Sequence, residues 1–145
     1  MLKRILFGGE SSASPWTNLG LTFLRVFAGI GLITHGVGKV PPKEQFIAGV
    51  ANMGFPMPEF FAWAAGLSEF AGGALLALGL LTRPVSFFVG FTMVVALVGV
   101  HWNDPFSRKE LAFLYLFISL LFLFMGSNLW SVDGFLRGKE KPEIS

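Results

Sequence analysis

The chain has 145 residues, of which 53% are hydrophobic and 14% are charged, and its formal net charge is +2. Soluble domains carry roughly 25% charged residues, so a chain this apolar would leave large adhesive patches exposed to water. The small net charge and scattered basic residues exclude the usual kind of nucleic-acid-binding protein, and the absence of cysteine excludes disulfides, thiolate metal sites and cysteine nucleophiles.

Residues 1–18 are expected to form a flexible leader ahead of the apolar part of the chain. The stretch Met1–Phe7 has too short an apolar run for the core of a signal peptide, and Gly8–Ser14 is rich in glycine and serine. At the other end, residues 137–145 are expected to form a charged, frayed tail.

Four apolar stretches approach the roughly 20 residues that a membrane-spanning helix needs. They cover residues 19–38, 60–81, 84–101 and 111–127. Each stretch is too long for a strand and lacks strict alternation, so helices are expected. The predicted fold class is therefore all-α, an integral membrane four-transmembrane-helix bundle that forms a single domain over residues 19–136.

The connections between these stretches differ in length. The first external loop is long, and within it residues 43–53 are expected to form a short interfacial or re-entrant helix that caps the bundle. The second and third spans are joined only by Thr82-Arg83-Pro84, which predicts tightly packed antiparallel neighbours.

The distribution of basic residues predicts the orientation of the bundle. With four spans both termini lie on one side of the membrane, and that side carries six basic residues against four on the other. Because cytoplasmic loops carry the excess of lysine and arginine, the N- and C-termini are expected in the cytoplasm.

Two charges, Arg25 and Glu69, lie inside the predicted spans. A charge at the centre of a membrane helix costs at least ~2.5–3.5 kcal/mol on insertion scales, so it persists when it is paired, hydrated or functional. At a rise of ~1.5 Å per residue, the long arginine side chain reaches toward the depth of the glutamate. We expect the two to form a buried pair.

Several further polar residues are expected at one depth, in the outer half of the bundle. His35, Glu69 and His101 lie at similar depths, and Glu110 begins the fourth span on the same side. An apolar slot with a cation or imidazole for a carbonyl and a carboxylate for proton transfer suits a quinone, so His35, Glu69 and His101 are the predicted catalytic residues. The predicted pocket for a quinone or small substrate consists of Arg25, His35, Gly36, Lys39, Glu69, Gly73, His101 and Glu110.

Structural interpretations of the same residues stay open. The charge pair could serve only to fix helix register, Lys39 could extend to lipid head groups, and the glycines could serve close helix packing. Two histidines on different spans could hold a haem in a four-helix bundle, but two histidines alone are a weak signal. Neither haem nor a metal ion is therefore expected.

The region from about Leu24 to Asp133 resembles the DoxX family of small bacterial membrane proteins. The resemblance lies in an ordered set of residues: Arg25; His35-Gly36 with Lys39; Gly54-Phe55-Pro56 with Pro58; Glu69 with Gly72-Gly73; Gly79 with Thr82-Arg83-Pro84; Met93; His101; Glu110; and Trp130-Ser131-Val132-Asp133. The resemblance implies a four-helix membrane bundle in the bacterial plasma membrane. It also implies a link to quinone chemistry, because relatives are associated with a thiosulfate:quinone oxidoreductase and a terminal quinol oxidase.

The leading hypothesis is a membrane subunit of a quinone-linked oxidoreductase, with the lipid bilayer and a redox enzyme or a second copy of the chain as partners. One alternative is a non-catalytic anchor or assembly protein for a redox partner. Another is a small-solute transporter, since an intramembrane charge pair also suits transport; the absence of an obvious inverted repeat argues against it.

Overall fold

The computed structural model describes residues 14–138, which form six helices and no strand. The helices are α1 (Pro15–Val37), α2 (Glu44–Asn52), α3 (Pro58–Leu78), α4 (Thr82–Val95), α5 (Phe106–Met125) and α6 (Val132–Arg137), and α4 continues as a π-helical turn over Ala96–Val100. Of the expected leader (residues 1–18) and tail (residues 137–145), residues 1–13 and 139–145 lie outside the described residues. The predicted all-α class is confirmed.

Three of these helices are long and apolar enough to cross a membrane: α1, α3, and α4 together with its π-helical turn. The fourth long helix, α5, carries Arg108, Lys109 and Glu110 near its start, so its uncharged part is confined to residues 111–125. The short helix expected in the first long loop is present as α2.

The start of α1 is defined by its capping residues. Ser14 accepts a hydrogen bond from the Thr17 backbone at 3.2 Å, and Pro15 occupies the first helical position, where its missing N–H costs nothing. The helix therefore begins four residues before the expected position at residue 19.

The long helices alternate in direction and give the bundle two ends. The terminal end contains residues 14–18, 79–84 and 126–138, and the loop end contains residues 38–57 and 101–105. The principal packing partners are α1 with α3 and α4 with α5, with α3 and α4 joining the two pairs.

Glycines allow α1 and α3 to approach closely. A Cβ added at Gly73 would lie 2.7 Å from the Gly29 carbonyl oxygen, and one added at Gly36 would collide with the Phe70 backbone. Such close contact between small residues supplies van der Waals packing that does not depend on water, which is how helices associate in lipid.

The outer surface of the bundle is apolar. Large hydrophobic side chains are exposed on every long helix, including Phe27 on α1, Phe88 on α4 and Phe124 on α5. An apolar surface of this extent is typical of a protein whose surroundings are lipid, because water would make it aggregate.

Candidate functional site

The buried Glu69 carboxylate pairs with a lysine near the loop end. Lys39 Nζ lies 2.6 Å from both Glu69 carboxylate oxygens, and only 5% of the Glu69 side chain is exposed against 35% for Lys39. The lysine ammonium also lies 5.8 Å from the centre of the Phe46 ring of α2, within the range of a cation–π contact. Glu69 is therefore a charged group taken out of solvent and compensated by one partly accessible cation.

Two rings lie beside this pair, between α1 and α5. The His35 and Tyr115 rings meet edge to face with their centres 6.1 Å apart. Tyr115 is 8% exposed, and Glu69 is close enough to act on it electrostatically. Gly31 makes room for the phenol, because a Cβ at that position would collide with the tyrosine hydroxyl.

The expected pairing of Arg25 with Glu69 is wrong. Arg25 is 2% exposed and donates from Nη2 to the Trp130 carbonyl oxygen at 2.8 Å, at the terminal end. Its Nη1 lies against Gly79, which follows Glu69 by ten residues, or about 15 Å of helix. Within residues 14–138 no ion pair joins the guanidinium to Glu69.

A second polar cluster, which the sequence did not predict, surrounds Asp133 at the terminal end. Its carboxylate accepts hydrogen bonds from the Leu81 backbone at 2.9 Å, the Thr82 backbone at 2.9 Å and the Thr82 hydroxyl at 2.8 Å. The Asp133 backbone N–H donates to the Gly79 carbonyl oxygen at 2.9 Å. Asp133 is fully buried and caps the start of α4 from a distant part of the chain.

His101 and Glu110, the remaining ionisable residues of the predicted site, do not bond to Glu69. His101 Nδ1 is 2.8 Å from Asp104 Oδ2 in the loop before α5. This hydrogen bond holds the pKa of Asp104 below its ordinary value of 3.8, and the charge of Arg108 lowers it further. Glu110 is exposed, and neither it nor His101 forms a hydrogen bond or ion pair with Glu69 in the described part of the chain.

The two glycines assigned to the pocket have packing contacts. Gly36 faces the Phe70 backbone and Gly73 faces the Gly29 carbonyl, so both lie in the α1–α3 contact. The eight predicted pocket residues thus divide into four groups: Lys39 with Glu69 and the neighbouring His35; Arg25 at the terminal end; Gly36 and Gly73 in the α1–α3 contact; and His101 in the loop with Glu110 at the start of α5.

An open groove of about 680 Å³ lies at the loop end, between α2 and the start of α3. Its lining residues are Ile47, Met57, Pro58, Glu59, Phe60 and Trp63. None of the predicted site residues lines it, and its mainly apolar lining suits a hydrophobic ligand or protein segment.

Three helices are apolar and long enough to cross a bilayer, and Lys39, just after α1, pairs with the buried Glu69 of α3. These features define a small helical membrane protein. The chain belongs to the DoxX family, whose model matches residues 20–102. That match includes Arg25, Lys39 and Glu69, whereas Tyr115 and Asp133 lie beyond it.

Three similar proteins are known from bacteria, and two of them are named as inner membrane proteins. The chain is 31% identical over 121 residues to an uncharacterized protein of Haemophilus influenzae, covering 78% of this chain and 87% of that protein. It is 31% identical over 130 residues to the inner membrane protein YqjF of Escherichia coli, covering 84% and 95% of the two chains. It is 29% identical to the E. coli inner membrane protein YphA, covering 58% and 61%. No solved structure matches the chain.

Proposed function

We propose that this protein is a membrane subunit of a quinone-linked oxidoreductase and that a quinone head group binds beside Lys39 and Glu69. The observation that carries the proposal is the Glu69 carboxylate, 5% exposed, with one lysine partner at 2.6 Å and an imidazole and a phenol close by. A purely structural charge pair would need neither titratable ring. A quinone needs hydrogen-bond donors for its carbonyls and a path for protons.

The residues of the site divide these tasks by their chemistry. The Lys39 ammonium is a hydrogen-bond donor for a carbonyl oxygen, and the Glu69 carboxylate accepts a proton. His35 is exposed on α1 and can exchange a proton with a ligand or with water. In this proposal Arg25 serves the fold and Gly36 and Gly73 serve helix packing, while His101 and Glu110 lie outside the immediate head-group site.

The proposal places the protein in the bacterial plasma membrane with four spans and cytoplasmic termini. α5 is the fourth span: its uncharged residues 111–125 cover about 22 Å. It exposes the apolar side chains of Leu114, Phe117 and Phe124, which suit contact with lipid. Its charged first turns then lie at the head groups, as does α2.

Quinone binding to the purified protein in lipid nanodiscs tests the proposal. A short-chain ubiquinone analogue should bind wild type, and Glu69→Gln, Lys39→Met and His35→Ala should each weaken binding. Glu44→Gln and Lys43→Met are matched controls, because these side chains are exposed at the same end. Undiminished affinity in all three site variants, or no binding by wild type, contradicts the proposal.

A non-catalytic anchor for a redox partner is the second candidate, and the loop-end groove favours it. The groove exposes Met57, Phe60 and Trp63 at the edge of the apolar surface. Retention of a partner enzyme with full activity by Lys39→Met/Glu69→Gln, and its loss in Phe60→Ala/Trp63→Ala, would favour this function. The converse pattern supports the quinone site.

A further inference from the structure

Tyr115 on α5 is close enough to Glu69 to interact with it electrostatically. It lies outside the residues that match the family model, and the sequence analysis did not select it as a site residue. The residue as a whole is nine-tenths buried, but its hydroxyl oxygen keeps accessible surface and makes no hydrogen bond to any residue between 14 and 138. A phenol hydroxyl is a hydrogen-bond donor. An accessible hydroxyl without a protein partner, near a buried carboxylate, is therefore available to donate to a bound ligand.

The surroundings of the phenol position it toward the polar site. The edge-to-face contact with His35 fixes one side of the ring, and Gly31 leaves space only for the hydroxyl end. Glu69 acts on the phenol electrostatically without accepting its proton in a hydrogen bond. Both carboxylate oxygens are instead within 2.6 Å of Lys39.

The two helices that carry His35 and Tyr115 have little contact with each other. α1 has extensive contact with α3 but little with α5, so the seam between α1 and α5 is a thin interface. His35, Gly31 and Tyr115 lie along that seam, and His35 is exposed at its outer edge. The exposed side of His35 is therefore the side from which a ligand would approach the tyrosine hydroxyl.

We propose that the Tyr115 hydroxyl donates a hydrogen bond to a carbonyl oxygen of the bound quinone and so orients the head group between α1 and α5. This inference rests on the proposed function. It adds a binding residue from α5, whereas Lys39 follows α1 and Glu69 lies on α3. Gly31 is a positioning residue for it, because any larger side chain there displaces the hydroxyl.

Since Tyr115 is the single tyrosine in the chain, a direct readout is available. Protein labelled with ¹³Cζ-tyrosine gives one resonance, whose shift reports hydrogen bonding at the phenol oxygen. Addition of saturating ubiquinone-1 in nanodiscs should move this resonance. No movement at a quinone concentration that saturates binding overturns the inference.

Variants separate the hydroxyl from the ring. Tyr115→Phe keeps the contact with His35 and should weaken quinone binding about tenfold, the effect of losing one hydrogen bond. Gly31→Ala should weaken binding similarly and lower thermal stability. In Gly31→Ala/Tyr115→Phe the nearest remaining ring atom is 3.3 Å from the new Cβ, so stability should recover while binding stays weak.

The outcomes distinguish this inference from the function on which it rests. If Glu69→Gln weakens binding and Tyr115→Phe does not, the Tyr115 assignment is overturned and the quinone site stands. If wild type binds no quinone, the proposed function fails and the inference with it. Weak binding in the double variant at restored stability supports the inference, because a purely structural role would recover both.

Discussion

Asp133 and Thr82 form two hydrogen bonds with each other although 51 residues separate them, one from the Thr82 backbone at 2.9 Å and one from its hydroxyl at 2.8 Å. The first backbone N–H groups of a helix normally donate to the side chain of the N-cap residue itself. Here the cap position is Leu81, which has a left-handed backbone with φ of 51° and no suitable side chain. The C-terminal segment supplies the missing acceptor.

Replacement of this carboxylate should destabilise the protein. Asp133→Ala leaves the part-buried Leu81 N–H and the buried Thr82 N–H without an acceptor, so we expect a loss of about 2 kcal/mol in the free energy of unfolding. Unfolding of the detergent-solubilised protein by increasing SDS measures it. Asp104→Ala, in an accessible loop, is the control and should have a smaller effect; equal effects would contradict the capping role.

Double-mutant cycles on the free energy of unfolding can test whether Glu69 interacts with Lys39 or with Arg25. Lys39→Met with Glu69→Gln should give a coupling energy on the order of 1 kcal/mol, because the two groups are in contact. Arg25→Met with Glu69→Gln should be additive, because the groups are separated by about 15 Å along α3. A larger coupling in the second cycle than in the first would restore the pairing that the sequence suggested.

Two glycines two residues apart provide a matched test of helix packing. Gly36→Ala should lower the melting temperature, because its Cβ collides with the Phe70 backbone, which cannot move without separating α1 from α3. Gly38→Ala should change it little, because no atom lies within 4 Å of its Cβ. Similar melting temperatures for the two variants would exclude close packing at Gly36.

The loop before α5 has a predictable titration. Because the hydrogen bond from His101 is the main cause of the lowered pKa of Asp104, His101→Ala should raise that pKa toward 3.8, and Arg108→Ala should raise it less. A depressed folded-state pKa contributes stability above pH 3.8 that is lost as pH falls through the lowered value. The ¹³Cγ resonance of Asp104 measures the titration; an unchanged midpoint in His101→Ala would contradict the assignment.

The sequence predicted the helices because span length and apolar composition are local properties. It predicted the charge pairing incorrectly because side chains in a helix point toward its N-terminus. Arg25 on α1 therefore extends toward the terminal end, and Glu69 on the antiparallel α3 extends toward the loop end and Lys39. The prediction compared only the depths of the two Cα atoms along the helices. It therefore paired Arg25 with Glu69, although their side chains extend in opposite directions.

Other contacts could not be predicted because no pattern in the neighbouring sequence indicates them. Asp133 acts on a helix that begins 51 residues earlier, so no spacing rule connects the two. Tyr115 lies among the phenylalanines and leucines of α5, where its hydroxyl was the sole distinguishing mark. Gly79 was part of the family resemblance, but its backbone φ of 68° and its contact with Arg25 follow only from the fold.

The remote cap on α4 has a consequence for biogenesis. Thr82 is synthesised 51 residues before Asp133. Until Asp133 is made, the backbone N–H groups of Leu81 and Thr82 at the start of α4 lack the acceptor that they have in the complete fold. The acceptor for these two donors is available only once the segment that contains Asp133 has been made. A chain that stops before Asp133 would therefore lack this cap on α4.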